Sequence, residues 1–254
     1  MSQDLWKSKS DWFVEWFNTE AYHALYRNRD IEEASQFAQQ FSNQFLDSTG
    51  NRLLDLGCGK GRHAVSMVKE GHEVVGVDLS DRSITFAQEA YKDVEALSFV
   101  RADMRSLSAH FESDSFDAVL LLFTSFGYFE DDKDHMEILM QIKSLLRSGG
   151  LLLLDYLNLE TVRSGLIEHE LIHRDGWSFE IDRRIHNGWV EKSIRCESPQ
   201  GERQHALERV RAFAAEDLKL LFKLAGLNTV GLFGNYQLDA LVAGSPRCIL
   251  VARK

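Results

Sequence analysis

No apolar run in the 254 residues reaches the roughly 18 to 20 residues that a membrane-spanning helix needs. The opening stretch, MSQDLWKSKSDW, lacks the apolar centre of a secretion signal. No Lys/Arg cluster of five or more occurs, and Lys plus Arg total 29 against 39 Asp plus Glu, for a net charge of −10 and a pI near 5.4. Such a balance opposes binding to a phosphate backbone. Cysteine is scarce: Cys58, Cys196 and Cys248 are an odd number with no C-x-x-C, which points to reduced thiols. These absences predict a soluble, cytoplasmic, acidic protein, monomer or homodimer, with neither membrane nor nucleic acid as a partner. At 44% hydrophobic residues, the chain can fill one large core, or a core with an insertion.

What is present concentrates between Asn51 and Ser80. Apolar Leu53 and Leu54 lead into Asp55-Leu-Gly57-Cys-Gly59-Lys-Gly61. A helix-like segment, Arg62 to Glu70, follows, and then a second apolar run, Val74 to Val77, ends on Asp78. The spacing predicts strand, glycine loop, helix, strand and acid, one βαβ unit that holds a nucleotide-like ligand. Glycines let the backbone approach the ligand, and the helix behind them offers free N–H groups. Asp78, ending the second strand, is placed to accept hydrogen bonds from both ribose hydroxyls. A dinucleotide fingerprint requires G-x-G-x-x-G, whereas this loop reads G-x-G-x-G with Asp55 two residues ahead.

In that form the stretch resembles motif I of the class I S-adenosylmethionine (AdoMet)-dependent methyltransferases, with Asp78 matching their motif II acid. The resemblance implies that Gly57, Cys58, Gly59 and Gly61 pass close to the methionine part of the cofactor. It also implies that Asp55 organises the loop or reaches the cofactor's amino group through water, and that Leu79 follows Asp78 into the site. Leu97 to Val100, leading into Arg101-Ala-Asp103-Met104, resembles motif III; there an acid bonds the adenine amino group and the next backbone N–H reaches a ring nitrogen. Phe116 to Phe123 reads as a central strand buried on both faces. The following Thr124-Ser-Phe126-Gly-Tyr128-Phe129 resembles motif IV, nearest the transferring methyl, and its wording is similar to a bacterial small-molecule subgroup. Phe123 joins the cofactor contacts, and Phe126, Tyr128 and Phe129 are candidates to wall the site. A sulfonium is attracted to such aromatic faces.

Around this unit the remaining chain arranges itself. Asp11 to Arg29 is dense in aromatics, and its i, i+4 pairs Trp12/Trp16 and Phe13/Phe17 predict one helical face. Trp12 and Trp16 read as core. The resemblance implies a lid here, with Tyr22, Tyr26, Arg27 and Arg29 as candidates to meet the cofactor's carboxylate or the substrate. Asp30 is a candidate cap for a helix with inward Ile31, Ala34, Phe37, Ala38, Phe41 and Phe45. A further helix runs from about Asp81 to Lys92 with Ile84, Ala87 and Ala90 inward. Another runs from His135 to Arg147 and stops at Gly149-Gly150. Leu151 to Leu154 forms the fifth strand and ends on Asp155-Tyr156-Leu-Asn158. From Thr161 the pattern becomes β-like, with turns at Asp175-Gly176, Asn187-Gly188 and Gln200-Gly201. A helix from Ala215 to Leu224 and strands near 228–233 and 247–253 complete the seven-stranded, mostly parallel, doubly wound sheet that the family implies.

The expected organisation is a helical lid (1–29), an α/β core (30–160 plus 213–254) and an antiparallel insertion (161–212) over the substrate cleft. The activity implied is methyl transfer from AdoMet to an O or N nucleophile of a small molecule. An acceptor that must lose a proton also wants a base; Tyr128, Asp155 and Tyr156 are candidates by location. Asn158 is expected to face the same cleft, and Arg211 and Arg247 are candidate forks for a substrate carboxylate. A protein or RNA methyltransferase is the alternative within the class, and a catalytically silent AdoMet-binding regulator the alternative outside it. One competing motif remains. Residues 169 to 173 read His-Glu-Leu-Ile-His, which on a helix would place His169 and His173 around zinc with Glu170 activating water. No third ligand is obvious beyond Glu191, so no metal is expected.

Overall fold

A computed structural model of the chain describes Trp6 and residues 11–27, 31–46 and 48–254. Arg29 and Asp30, named above as a cofactor contact and a helix cap, lie outside them. Strand β1 (Arg52–Leu56) pairs in parallel with β2 (Glu73–Asp78) on one side and β4 (Phe116–Leu121) on the other. Beyond them lie parallel β3 (Leu97–Arg101) against β2 and β5 (Leu146–Leu157) against β4. β11 (Arg247–Arg253) runs antiparallel to β5, and β10 (Asn228–Phe233) forms the edge, so the order is β10-β11-β5-β4-β1-β2-β3. The winding reverses between β1 and β4. Above their C-terminal ends an open α/β sheet receives its ligand.

The strand pleat splits the core in two, because successive side chains point to opposite faces. Leu53, Val74, Leu120, Leu153 and Ile249 meet α3 (Ile31–Phe45), α4 (Arg62–Lys69) and α5 (Asp81–Ala90) through Phe37, Phe41, Met67 and Ile84. Leu54, Val75, Leu121, Leu154 and Leu250 meet α6 (Asp132–Leu145) and α8 (Ala215–Leu224) through Ile138, Leu139 and Phe222. Ile31 and Ala90, expected inward, are exposed at helix ends. The sixth helix begins earlier than its apolar positions require because the Asp131 side chain caps it, accepting from the Lys133 amide.

The N-terminal segment is not one helix. α1 (Trp12–Trp16) stops, and Thr19 caps a separate α2 (Glu20–Leu25) by accepting from the Tyr22 amide at 3.1 Å. After the short α7 (Leu159–Ser164), β6 (His169–Arg174), β7 (Trp177–His186), β8 (Trp189–Glu197) and β9 (Arg203–Arg211) form an antiparallel meander. Asp175-Gly176 and Asn187-Gly188 both take positive φ at each residue, with 51° and 79° in the first pair and 48° and 78° in the second. That is the type I′ geometry whose twist matches the flanking strands. One face of the meander, carrying Phe179, Ile181 and Ile194, packs in the same apolar cluster as Trp12, Phe13 and Trp16. Residues 11–27, the expected lid, and the meander, the expected insertion, therefore form a single packed layer.

Candidate functional site

The glycine loop is shaped by its neighbours. Gly57 and Cys58 both donate backbone hydrogen bonds to the Val77 carbonyl, at 2.7 and 3.0 Å, which ties the loop to β2. A Cβ at Gly57 would stand 2.7 Å from the Ser125 side chain, and one at Gly61 would stand 2.6 Å from the Phe99 ring. With φ of +79° and +83°, neither position admits another residue without strain. A Cβ at Gly59 would meet nothing within 4 Å, so its bare α-carbon faces open space. Cys58 is buried below the loop, and burial raises its thiol well above the ordinary value, so it is no nucleophile.

Three acids stand around the loop and the cavity beside it, each in a different setting. Asp78 accepts from the Gly59 amide on one oxygen and the Ser80 amide on the other, both at 2.8 Å. Asp55 is buried, and its Oδ2 has no hydrogen-bond partner among the described residues. Burial first, and then the Asp78 charge, push its carboxyl up to about 7, against the opposing pull of Arg62 and the Ala64 backbone. Asp103 lies across the cavity. Burial pushes it up, but Arg105 bonds both its oxygens, as close as 2.6 Å, and holds it below the usual carboxylate value. Arg105, unanticipated, also reaches Asp11 at 3.3 Å and stands 5.1 Å from the Phe129 ring.

Between these groups and the lid lies a cavity of about 260 Å³. The structure brings to its wall Gly57, Cys58, Gly59, Asp78, Leu79, Asp103, Met104, Phe123, Tyr128, Phe129 and Tyr26, as the sequence led us to expect. Phe13, Phe17, Tyr22 and His23 close the lid side. Tyr128 is packed edge-on by Trp12 and Phe17, with ring centroids 5.6 and 5.5 Å away, and its hydroxyl donates to the Thr124 carbonyl. Tyr26 donates to Glu208 at 2.7 Å and accepts from Lys192 at 2.5 Å, so its hydroxyl is committed to the insertion. Arg27, also at the wall, pairs with Asp175 at 2.8 Å. Sequence reasoning missed His23, His63 and Arg62 in the wall; Arg62 was visible as the first helical residue after the glycines.

Eight expected site residues do not line the cavity. Asp155 and Tyr156, adjacent on β5, point to opposite faces, so the pleat forbids both from facing one cleft. Asp155 is fully buried and accepts from the Phe123 amide, the Tyr236 hydroxyl and Arg247 Nε. Tyr156 is buried on the other face and donates to the Arg211 carbonyl at 2.6 Å. Phe126 is buried against His135 and Phe213. Asn158 caps α7 and donates to the Ser245 carbonyl. Arg211 pairs with Asp132 at 2.8 Å and Arg247 with Asp155 at 2.6 Å, so both forks are already engaged. Asp55 and Gly61 support the loop from behind rather than from the wall.

The zinc geometry does not form. His169 and His173 lie on strand β6, where four residues span roughly 13 Å instead of one helical turn. His169 instead bonds Asp182 at 2.8 Å, and near it lies Glu180. Arg195 bonds both of these acids, at 2.7 and 2.8 Å, placing a cation where an ion would sit. Glu170 pairs with Arg183, and Glu191 with Arg184 and Arg209.

The groups in and behind the cavity wall fit AdoMet. Behind the bare glycine loop a buried Asp55 oxygen has no hydrogen-bond partner among the described residues, Asp78 ends β2 where a ribose would lie, and the aromatic lid suits a sulfonium. Among the described residues no helix is long and apolar enough to cross a membrane.

Comparisons with known proteins agree with this geometry. A family model described as a methyltransferase domain matches residues 53–150. A protein of Geobacillus sp. (strain WCH70), provisionally named a methyltransferase, is 26% identical over 92% of this chain and 96% of its own. Glycine N-methyltransferase of Mus musculus is 33% identical, but over 45% of this chain and 43% of its own. A Bacillus subtilis relative with a provisional methyltransferase name is matched over 41% of each chain. The chain thus spans less than half the length of several curated relatives. In structure it is similar to an S-adenosylmethionine-dependent methyltransferase of Clostridium acetobutylicum, with TM-score 0.77, 19% identity, and 92% and 96% of the two chains covered. A sugar N-methyltransferase of Streptoalloteichus gives TM-score 0.68 at 20% identity, with 92% of each chain covered.

Proposed function

We propose, from the premise that this chain is a class I AdoMet-dependent methyltransferase, that it methylates an O or N nucleophile of a small molecule held under the aromatic lid. The observation that carries the reading is the cavity itself. Its floor is the glycine loop with Asp78 and Asp103, and its roof is the aromatic face of α1 and α2. AdoMet, when bound, supplies an electrophilic methyl group. The chain's own task is then to align and enclose, and positioning alone is worth about 7 to 11 kcal/mol in favourable cases.

Asp55, Gly57, Gly59 and Asp78 would hold the methionine and ribose parts, and Asp103 with Met104 the adenine. The roof excludes water and presents π-faces to positive charge. An amine or hydroxyl acceptor must also shed a proton. His23, an imidazole on the lid side of the wall, is the base this reading assigns, in place of Asp155 and Tyr156, whose polar atoms are spent elsewhere. The small-molecule reading rests on the enclosed roof and the net charge of −10, and the sugar and glycine N-methyltransferases among its neighbours are in keeping with it.

Calorimetry should show AdoMet binding and no NAD binding. Asp78→Ala should weaken AdoMet at least about tenfold, since hydrogen bonds to a charged group contribute about 1.5 to 3 kcal/mol. His23→Gln should leave AdoMet affinity intact and lower kcat about 100-fold. Unchanged binding in Asp78→Ala would defeat the cofactor site. Faster methylation of RNA or peptides than of any metabolite would defeat the substrate class, and cofactor binding without turnover would favour a silent regulator.

A further inference from the structure

Where β4 ends, two consecutive residues that are not glycine occupy the left-handed region: Phe123 at φ +56° and Thr124 at φ +63°. For a β-branched residue that conformation is an outlier, kept only where the surroundings over-determine it. Here they do. Asp155 on β5 accepts the Phe123 amide on Oδ2 at 2.8 Å, and its own backbone carbonyl accepts the Thr124 amide at 2.9 Å. Arg247 on β11 donates Nε to Asp155 Oδ1 at 2.6 Å and Nη2 to the Thr124 hydroxyl at 2.8 Å. Tyr236, from the loop after β10, donates to the same Asp155 Oδ2 at 2.6 Å. Tyr128 binds the Thr124 carbonyl. Both amides, the hydroxyl and one carbonyl of the strained pair are thereby held.

The strain has a product on the cavity side. It turns the Phe123 ring into the cavity wall, with the Arg62 guanidinium 5.0 Å from the ring centroid and Arg247 5.7 Å away. Asp155 is itself fully buried and touches nothing that could react. We infer that Asp155, with Tyr236 and Arg247, forms a positioning device that fixes the Phe123–Thr124 backbone so that the Phe123 ring is preset against the AdoMet site. This deepens the proposed function and rests on it for the identity of the ligand. The device costs nothing at the moment of binding because it is assembled in the free protein. In its absence the chain would relax to an ordinary conformation and withdraw the ring.

The test uses the full-length protein with Tyr236→Phe, which removes one donor to Asp155, and Asp155→Asn as the stronger perturbation. Tyr236→Phe should bind AdoMet about tenfold more weakly by calorimetry, raise KM for AdoMet, and leave kcat at saturation within about threefold. Asparagine tolerates the left-handed region, so adding Thr124→Asn should restore AdoMet affinity to within about threefold of wild type. Simple loss of core stability would not be rescued in this way. Without any ligand, amide exchange at Phe123 and Thr124 should accelerate about tenfold in Tyr236→Phe. Wild-type affinity in folded Tyr236→Phe and Asp155→Asn, or a loss that Thr124→Asn leaves untouched, overturns the inference. Should the wild-type protein fail to bind AdoMet, the cofactor reading falls, while the exchange rates still decide the device: unchanged rates overturn it and faster ones support it.

Discussion

The floor and the roof of the cavity are built by different means. Apart from Asp103, the floor is a local construction: Gly57 to Gly61, Asp78 and the β1–β2 pairing all come from one stretch of the chain. The roof is assembled from distance. Trp16 and Tyr26, near the N-terminus, end on Glu208 in β9, 192 and 182 residues away. The floor therefore forms with its βαβ unit, whereas the roof exists only when lid and insertion have met.

The sharpest contrast is electrostatic, because each half buries one group with an opposite response to pH. Under the floor, the Asp55 carboxyl is raised from an ordinary 3.8 to about 7, chiefly by burial. The folded protein keeps that proton where the unfolded chain has released it. Stability is therefore lost as pH rises from 3.8 towards 7, by roughly 4 kcal/mol at most. Asp55→Asn should stabilise the cofactor-free protein at pH 8, bring little change near pH 4, and still bind AdoMet more weakly. Equal melting temperatures at pH 8 for mutant and wild type would remove the buried-charge argument.

Behind the roof, His135 is buried among Phe126, Phe129 and Phe213, and neither ring nitrogen has a hydrogen-bond partner among the described residues. Burial first, opposed by Asp132 and aided by Arg211, lowers it from 6.5 to about 4. Here the unfolded state takes up the proton first. Stability is present above pH 6.5 and drains away as pH falls to 4, by roughly 3 kcal/mol. His135→Leu should flatten that acid limb while leaving the Asp55 limb in place. If urea unfolding at pH 4.5 and pH 7.5 changes equally in mutant and wild type, His135 is not the acid-sensitive group.

The same contrast explains what could be read from residue order. The positions of Asp55, the glycines, Asp78 and Asp103 were legible because each lies within a few residues of its strand end. The hairpin turns were legible because Asp-Gly and Asn-Gly carry their own backbone preference. Asp155 was legible as an important acid at a strand end and misread as a base, since its partners Tyr236 and Arg247 lie 81 and 92 residues away. Tyr156 followed it into error because strand parity shows which residues oppose, not which face meets the ligand. Thr19, an N-cap inside an aromatic helical pattern, divided the lid in two. Arg211, Asn158 and Phe126 became structural for the same reason as Asp155: long-range partners claimed them first.

The smallest expected effect tests whether the roof is held by the insertion or merely rests on it. Glu208 accepts from Trp16 Nε1 at 2.7 Å and Tyr26 Oη at 2.7 Å, one donor from each side of the break between α1 and α2. Lys192 stands 3.6 Å from Glu208 and 2.5 Å from Tyr26. Burial lowers the Lys192 ammonium's pKa, and the Glu208 charge is what opposes that shift. Glu208→Gln keeps the size and one acceptor oxygen but loses the charge and turns a donor towards groups that are donors already. At about 1 kcal/mol for a partly retained hydrogen-bond set, AdoMet should dissociate about fivefold faster, with association little changed because the floor is intact. A truncation of residues 165–210 should then weaken AdoMet by more than Glu208→Gln does, since it removes the apolar support of Trp12 and Trp16 as well as the carboxylate. If AdoMet leaves Glu208→Gln at the wild-type rate in stopped-flow measurements, the roof is held by apolar packing with Phe179 and Ile181 alone, and Trp16 and Tyr26 are passengers on it.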